Sequence, residues 1–143
     1  TDEHGLKIQR AAEQQKKEFA LSQLAPYYAD PSTCGYNKET TSCEYKTPDG
    51  RMCVAGKNMI EPKFGVYRDI ETILADNNYK QEELFKPEVV GILTNNEWQY
   101  MQGIHDTIAG HPNNVDRLKD RIQRLNLFTF EELVERAESL KKV

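Results

Sequence analysis

At 143 residues, 29% of them charged, the chain is long enough to close one hydrophobic core without disulfide support. A formal net charge of -4, a mean hydropathy of -0.77 and a pI near 5.4 argue against general nucleic-acid or anionic-membrane binding, which needs a basic surface. Three cysteines are an odd count without secreted-scaffold density, no apolar run is long enough to span a bilayer, and no signal-peptide pattern is present, so a soluble protein of a reducing cytosol is expected.

Residues 2 to 25 read as a long polar helix. Asp2 and Glu3 sit where the helix dipole favours acids, and Pro26 is expected to stop the run. Its middle, Glu13 to Glu18, is polar nearly all round, and only Phe19, Leu21 and Leu24 offer a core-facing end, helped by Leu6, Ile8 and Ala12. Such a helix projects into solvent or packs on a second copy of the chain. Projection is expected for residues 1–18, with a homodimer through this helix as the other outcome. Tyr27 to Thr41 reads as a loop punctuated by Asp30-Pro31, Ser32 and Gly35, with Cys34 inside it.

The next stretch, Ser42 to Pro62, has the most specific local chemistry. Thr47-Pro48-Asp49-Gly50-Arg51 predicts a tight turn, because proline presets φ and glycine accepts a positive φ. A three-residue hairpin loop pairs Thr47 with Arg51, Tyr45 with Cys53 and Cys43 with Ala55. Cys43, Tyr45, Cys53 and Ala55 then share the buried face, with Glu44 and Lys46 on the other. In this register Cys43 and Cys53 are diagonal neighbours about 7–8 Å apart, too far for an easy bridge. Reduced core thiols are expected, and an exposed, alkylable Cys34.

After Pro62, Val66, Ile70, Ile73 and Leu74 follow helical spacing, with Asp69 in the first turn and Asn77-Asn78 as the stop. Tyr79 to Phe85 adds a short helical turn, and the apolar run opened by Pro87 fits no single period. Thr94 to Glu97 has the form of a capping box, followed by a stripe of Trp98, Met101, Ile104 and Ile108. Asn113 or Asn114 caps the next helix, whose buried face is Val115, Leu118, Ile122 and Leu125. Thr129 to Glu132 repeats the box before Phe130, Leu133, Val134, Ala137 and Leu140. The expected fold is α+β and a single domain over 1–143: a small β-hairpin packed with several helices, a helical region over 94–143, and the long N-terminal helix.

Three constellations could carry chemistry. Cys34, Cys43, Cys53 and His105 are the right ligand types for structural zinc, but eight and nine residues separate the cysteines. Zinc sites usually use close pairs, so no metal and no other cofactor is expected. Cys53 could serve as a nucleophile with His105 as base and Asp106 orienting the ring. No protease signature surrounds Cys53, however, and a histidine at the border of a helix core more often bonds a neighbouring carbonyl or carboxylate. Arg117, Arg121 and Arg124 share a helix face and match phosphate oxygens. Asp116 and Asp120 interleave them, and Asp120 stands four before Arg124, which also fits a self-screened solvent face.

The run Cys43-x-Tyr45, Asp49-Gly50, Cys53-Val54-Ala55-Gly56 and Ile60-x-Pro62, followed by Gln102-Gly103-Ile104-His105-Asp106, resembles a group of small proteins from tailed bacteriophages. The likeness spans roughly residues 40–130 and rests on one short motif. This chain departs from it in the order Val54-Ala55 and in the spacing from Gly56 to Ile60. That group has no settled activity, so the resemblance implies origin more than mechanism. It points to a non-enzymatic accessory protein of the host-cell cytoplasm that acts by binding, inhibiting a host enzyme or defence factor or sequestering a small signalling ligand. An acidic surface suits a basic target. A cysteine-dependent hydrolase or transferase and a virion-associated structural part are the alternatives. The binding residues expected are Tyr36, Arg51, Arg117 and Arg121.

Overall fold

The computed structural model describes residues 3–61, 73 and 80–141. Its described residues are mostly helical with one small antiparallel hairpin, an α+β arrangement. Helix α1 spans Glu3–Ala29. Strands β1 (Tyr36–Asn37) and β2 (Ser42–Cys43) form the hairpin. Helix α2 is a single turn over Gln81–Leu84, and α3 (Asn95–Gly110), α4 (Val115–Leu125) and α5 (Phe130–Lys141) complete the chain. Helix α1 lies along α5 and α3, and α4 packs on α3 and α5. Of the helix expected after Pro62, only Ile73 is among the described residues; it is helical and fully buried.

Helix α1 runs one turn past Pro26, which lies inside it. Proline's fixed φ is already helical, and the cost is one missing N–H. The added turn places Tyr27 in the core, its hydroxyl donating to the Met52 carbonyl at 2.7 Å. The Asp30 N–H then returns to the Pro26 carbonyl. Residues 4–15 are exposed, including Leu6 and Ile8, whereas Ala20, Leu21, Leu24 and Ala25 are buried. The polar half of the helix therefore buries little, yet its later residues are not detached: Gln9, Glu13 and Lys16 line a groove with Glu97, Asn126 and Leu127, and Lys16 pairs with Glu97 at 2.9 Å.

Both capping boxes form. Thr94 Oγ1 accepts from the Glu97 N–H and the Glu97 carboxylate accepts from the Thr94 N–H; Thr129 and Glu132 repeat the exchange. Asn114 caps α4 by accepting from the Arg117 N–H, and Asn126 ends it in a left-handed conformation. The stripe of Trp98, Met101, Ile104 and Ile108 is fully buried. Val115 departs from expectation. It sits at the exposed start of α4, while Leu118, Ile122 and Leu125 make the buried face.

The hairpin is displaced from the expected register. The turn at Thr47–Arg51 closes as its residues dictate: the Thr47 N–H donates to the Arg51 carbonyl at 2.8 Å, and Gly50 has φ +89°. Pairing does not extend beyond it. Cys43 instead pairs with Tyr36, and Asn37 with Ser42, and the Glu44 N–H donates to the Gly35 carbonyl at 2.7 Å. The partner expected for Cys43, Ala55, is helical in conformation and leads into a 3-10 turn over Gly56–Asn58. Ala-Gly-Lys-Asn is poor strand sequence, and its amides are satisfied by local turns and by a side chain of α3. The loop expected over 27–41 thus supplies the strand that the segment after the turn does not.

Candidate functional site

Helix α3 presents three polar side chains beside its apolar stripe, and each reaches across to the cysteine-bearing segments. The Ala55 N–H donates to Gln102 Oε1 at 3.0 Å. The Gly35 N–H donates to His105 Nε2 at 3.3 Å. Both side chains then converge on one oxygen, Asp106 Oδ1, from Gln102 Nε2 at 2.8 Å and His105 Nδ1 at 2.9 Å. Because Nε2 accepts from a backbone amide, the proton of the neutral imidazole sits on Nδ1 and faces the carboxylate. The ring is fully buried, with Tyr27 edge-on at 4.6 Å. Gln102, His105 and Asp106 therefore form a polar plate holding two irregular backbone segments to one helix.

Removing Gln102 should expose what this plate contributes. Gln102→Ala leaves the buried Ala55 N–H without its acceptor and Asp106 without one donor. A loss of about 1–3 kcal/mol is expected from unsatisfied buried donors of this kind. Urea unfolding of the variant beside wild type measures it, and an unchanged midpoint would show that the plate carries no stability.

All three cysteines are unbridged. Contrary to the expectation of an exposed loop thiol, Cys34 has no accessible surface, and Cys43 is the partly exposed one. The cause is Gly35, which lets the chain pass directly against Met52 and Cys53 and carries Cys34 inside. Burial pushes the Cys34 thiol up to about 12 and Cys53 up to about 12. Cys43 is raised further, first by burial and then by the adjacent Asp106 carboxylate. A nucleophilic cysteine needs the opposite shift. The His105–Asp106 pair expected for a catalytic reading does form. Its other ring nitrogen is committed to Gly35, however, and Cys53 Sγ accepts from the Gly56 N–H at 3.3 Å.

These shifts predict loss of stability in alkali. A thiol whose folded pKa is raised stabilises fully below its unfolded value near 9.0 and loses that contribution as pH rises through the folded value. Lys57 opposes this. Burial under Tyr27 lowers it to about 8, so its penalty is relieved between there and the ordinary lysine value. Three thiols outweigh one ammonium, and each contributes up to about 1.4 kcal/mol per pH unit. Urea midpoints are expected to fall steeply above about pH 9, with iodoacetamide labelling all three thiols slowly until the protein unfolds. Rapid labelling of Cys53 at neutral pH in the folded protein would contradict this.

Of the four candidate zinc ligands, Cys43 and His105 come together, joined by Asp106, with ligand atoms within 4.8 Å of one another. Cys34 and Cys53 are not in that group. A metal on His105 Nδ1 would move the ring proton to Nε2, directly against the Gly35 N–H. The triad is thus arranged around N–H groups that Gln102 and His105 donate to Asp106, and the backbone contact opposes a cation there.

Above this plate runs a groove of about 370 Å³ between the hairpin, the second half of α3 and the start of α4. Tyr36, Arg117 and Arg121, three of the four expected binding residues, line it together with Cys43 and Asp106. Arg51 does not. Its guanidinium is spent on the turn, donating to Asp49 at 2.9 Å and to the Cys34 carbonyl at 3.0 Å, and Asp49 is held down to about 2 by that arginine and by Thr47.

No family model, curated protein or solved structure matches this chain.

Gly103 and Thr107 also line the groove, and sequence periodicity did not single them out. The usable signal was a glycine in the interior of a helix. Among the described residues no helix is long and apolar enough to cross a membrane.

Proposed function

We propose that this chain is a phage-type accessory protein that acts by binding rather than by catalysis, engaging a host protein or a small ligand in the host-cell cytoplasm. The observation that carries the reading is the division of labour at α3. The residues with catalytic potential, Cys53 and His105, are buried and occupied by backbone partners. The residues with recognition chemistry, Tyr36, Arg117 and Arg121, line an open groove. Support for a phage origin is the motif from Cys43 to Gly56 with Gln102-x-x-His105-Asp106 downstream. The net charge of -4 favours encounter with basic partners.

The test is capture from bacterial lysate on immobilised full-length chain, with native mass spectrometry of the recovered protein to detect small ligands. A partner retained in fixed stoichiometry is expected. A clean blank across several salt concentrations, for proteins and small molecules alike, would overturn the reading.

A further inference from the structure

Gly103 lies in the interior of α3, where glycine is less favourable than alanine, and the packing does not require it. A Cβ placed there meets no atom within 4 Å. Gly35 and Gly56 are the contrast, since backbone fills the space a side chain would need at both. What glycine preserves at position 103 is room in the groove that Tyr36 and the α4 arginines also line.

The charges around that room select a ligand with two different ends. Arg117 and Arg121 are one helical turn apart on α4, so both guanidinium groups can address one phosphate. Arg121 also touches Asp120 at 2.7 Å, while no ion pair of Arg117 occurs among the described residues. The same groove is lined by the half-exposed Asp106 carboxylate of α3, fixed by Gln102 and His105. A bare anion would be repelled by Asp106; a ligand that also carries a donor would pair with it. Tyr36 adds an aromatic side chain to the lining, and the volume of about 370 Å³ lies within the usual range for small-molecule sites.

We infer that the groove binds a nucleotide. Its phosphate pairs with Arg117 and Arg121, its base lies against Tyr36, and an exocyclic amine donates to Asp106. This rests on the binding reading above and names the ligand class.

Isothermal titration of the full chain with AMP, UMP and inorganic phosphate tests it. Saturable one-to-one binding of AMP is expected, with UMP and inorganic phosphate at least tenfold weaker. Arg117→Ala and Arg121→Ala should each weaken AMP at least tenfold, whereas Lys141→Ala, an exposed cation at the end of α5 outside the groove, leaves it unchanged. Gly103→Leu should fill the groove and abolish binding while the melting temperature stays at or above that of wild type. Arg117→Ala, an exposed substitution, keeps the test decisive if Gly103→Leu fails to fold. Absence of saturable heat with AMP, GMP and CMP up to about 1 mM, or AMP binding unaffected by Arg117→Ala, would overturn the inference. A host protein captured equally by wild type and Arg117→Ala, with no nucleotide bound, would overturn the nucleotide groove and leave the binding reading standing.

Discussion

Gly35→Ala is expected to unfold the protein or to cost it more than about 4 kcal/mol, at the far end of what single substitutions do. An added Cβ would fall on the Cys53 amide nitrogen, 2.6 Å from the Met52 carbonyl carbon and 2.7 Å from the Glu44 carbonyl oxygen. All three obstacles are backbone, so no side chain can rotate away. Separating the segments would also break the Gly35 N–H contact to His105 and the Glu44 N–H contact to the Gly35 carbonyl. Gly56→Ala should behave alike, because its Cβ would overlap the Tyr45 carbonyl. Circular dichroism melts of both variants check this; Gly103→Ala, which meets nothing, is the control. Wild-type melting in Gly35→Ala would show that the three segments are not packed as described.

The second large effect belongs to Trp98→Ala, expected to cost about 3–5 kcal/mol. Trp98 is fully buried. Its ring stacks on Phe85 at 4.2 Å and 19° and meets the edge of Phe19 at 5.8 Å and 76°. It therefore joins α1, α3 and the short bridge in which Phe85 pairs with Met59. Removing the indole opens a cavity bounded by three elements that cannot close together around it. Trp98→Phe keeps a ring against Phe85 and should lose far less. Urea denaturation of the two variants separates them, and equal losses would mean that ring packing is not what Trp98 supplies. Against a total stability of roughly 5–15 kcal/mol for a domain of this kind, the alanine variant is expected to lie near the limit of folding.

The helices were legible because their signals are local. Thr94 with Glu97 and Thr129 with Glu132 announce two helix starts within four residues each, and the 3.6-residue spacing of Trp98, Met101, Ile104 and Ile108 marks a face. Pro26 misled for a physical reason: a proline forbids one hydrogen bond, and the burial of Tyr27 outweighs that loss. The hairpin shows the other limit. Turn chemistry at Pro48-Asp49-Gly50 fixes a reversal but not how far pairing continues, and the outcome was decided by a side chain of α3 taking the Ala55 amide. Cys34 looked exposed because loops usually are, and nothing in its neighbours told that Gly35 would be pressed against Cys53. Arg117 and Arg121 are legible together as one helix face; only folding brings Tyr36 to the same groove.

The two glycine-bearing segments attached to α3 have almost no regular pairing of their own. Their amides at positions 35 and 55 end on His105 and Gln102, three residues apart within one turn of α3, and those acceptors face one way only once that helix exists. Assembly is therefore expected to follow an order, with α3 winding first from local contacts and the cysteine segments gathered afterwards onto a finished template.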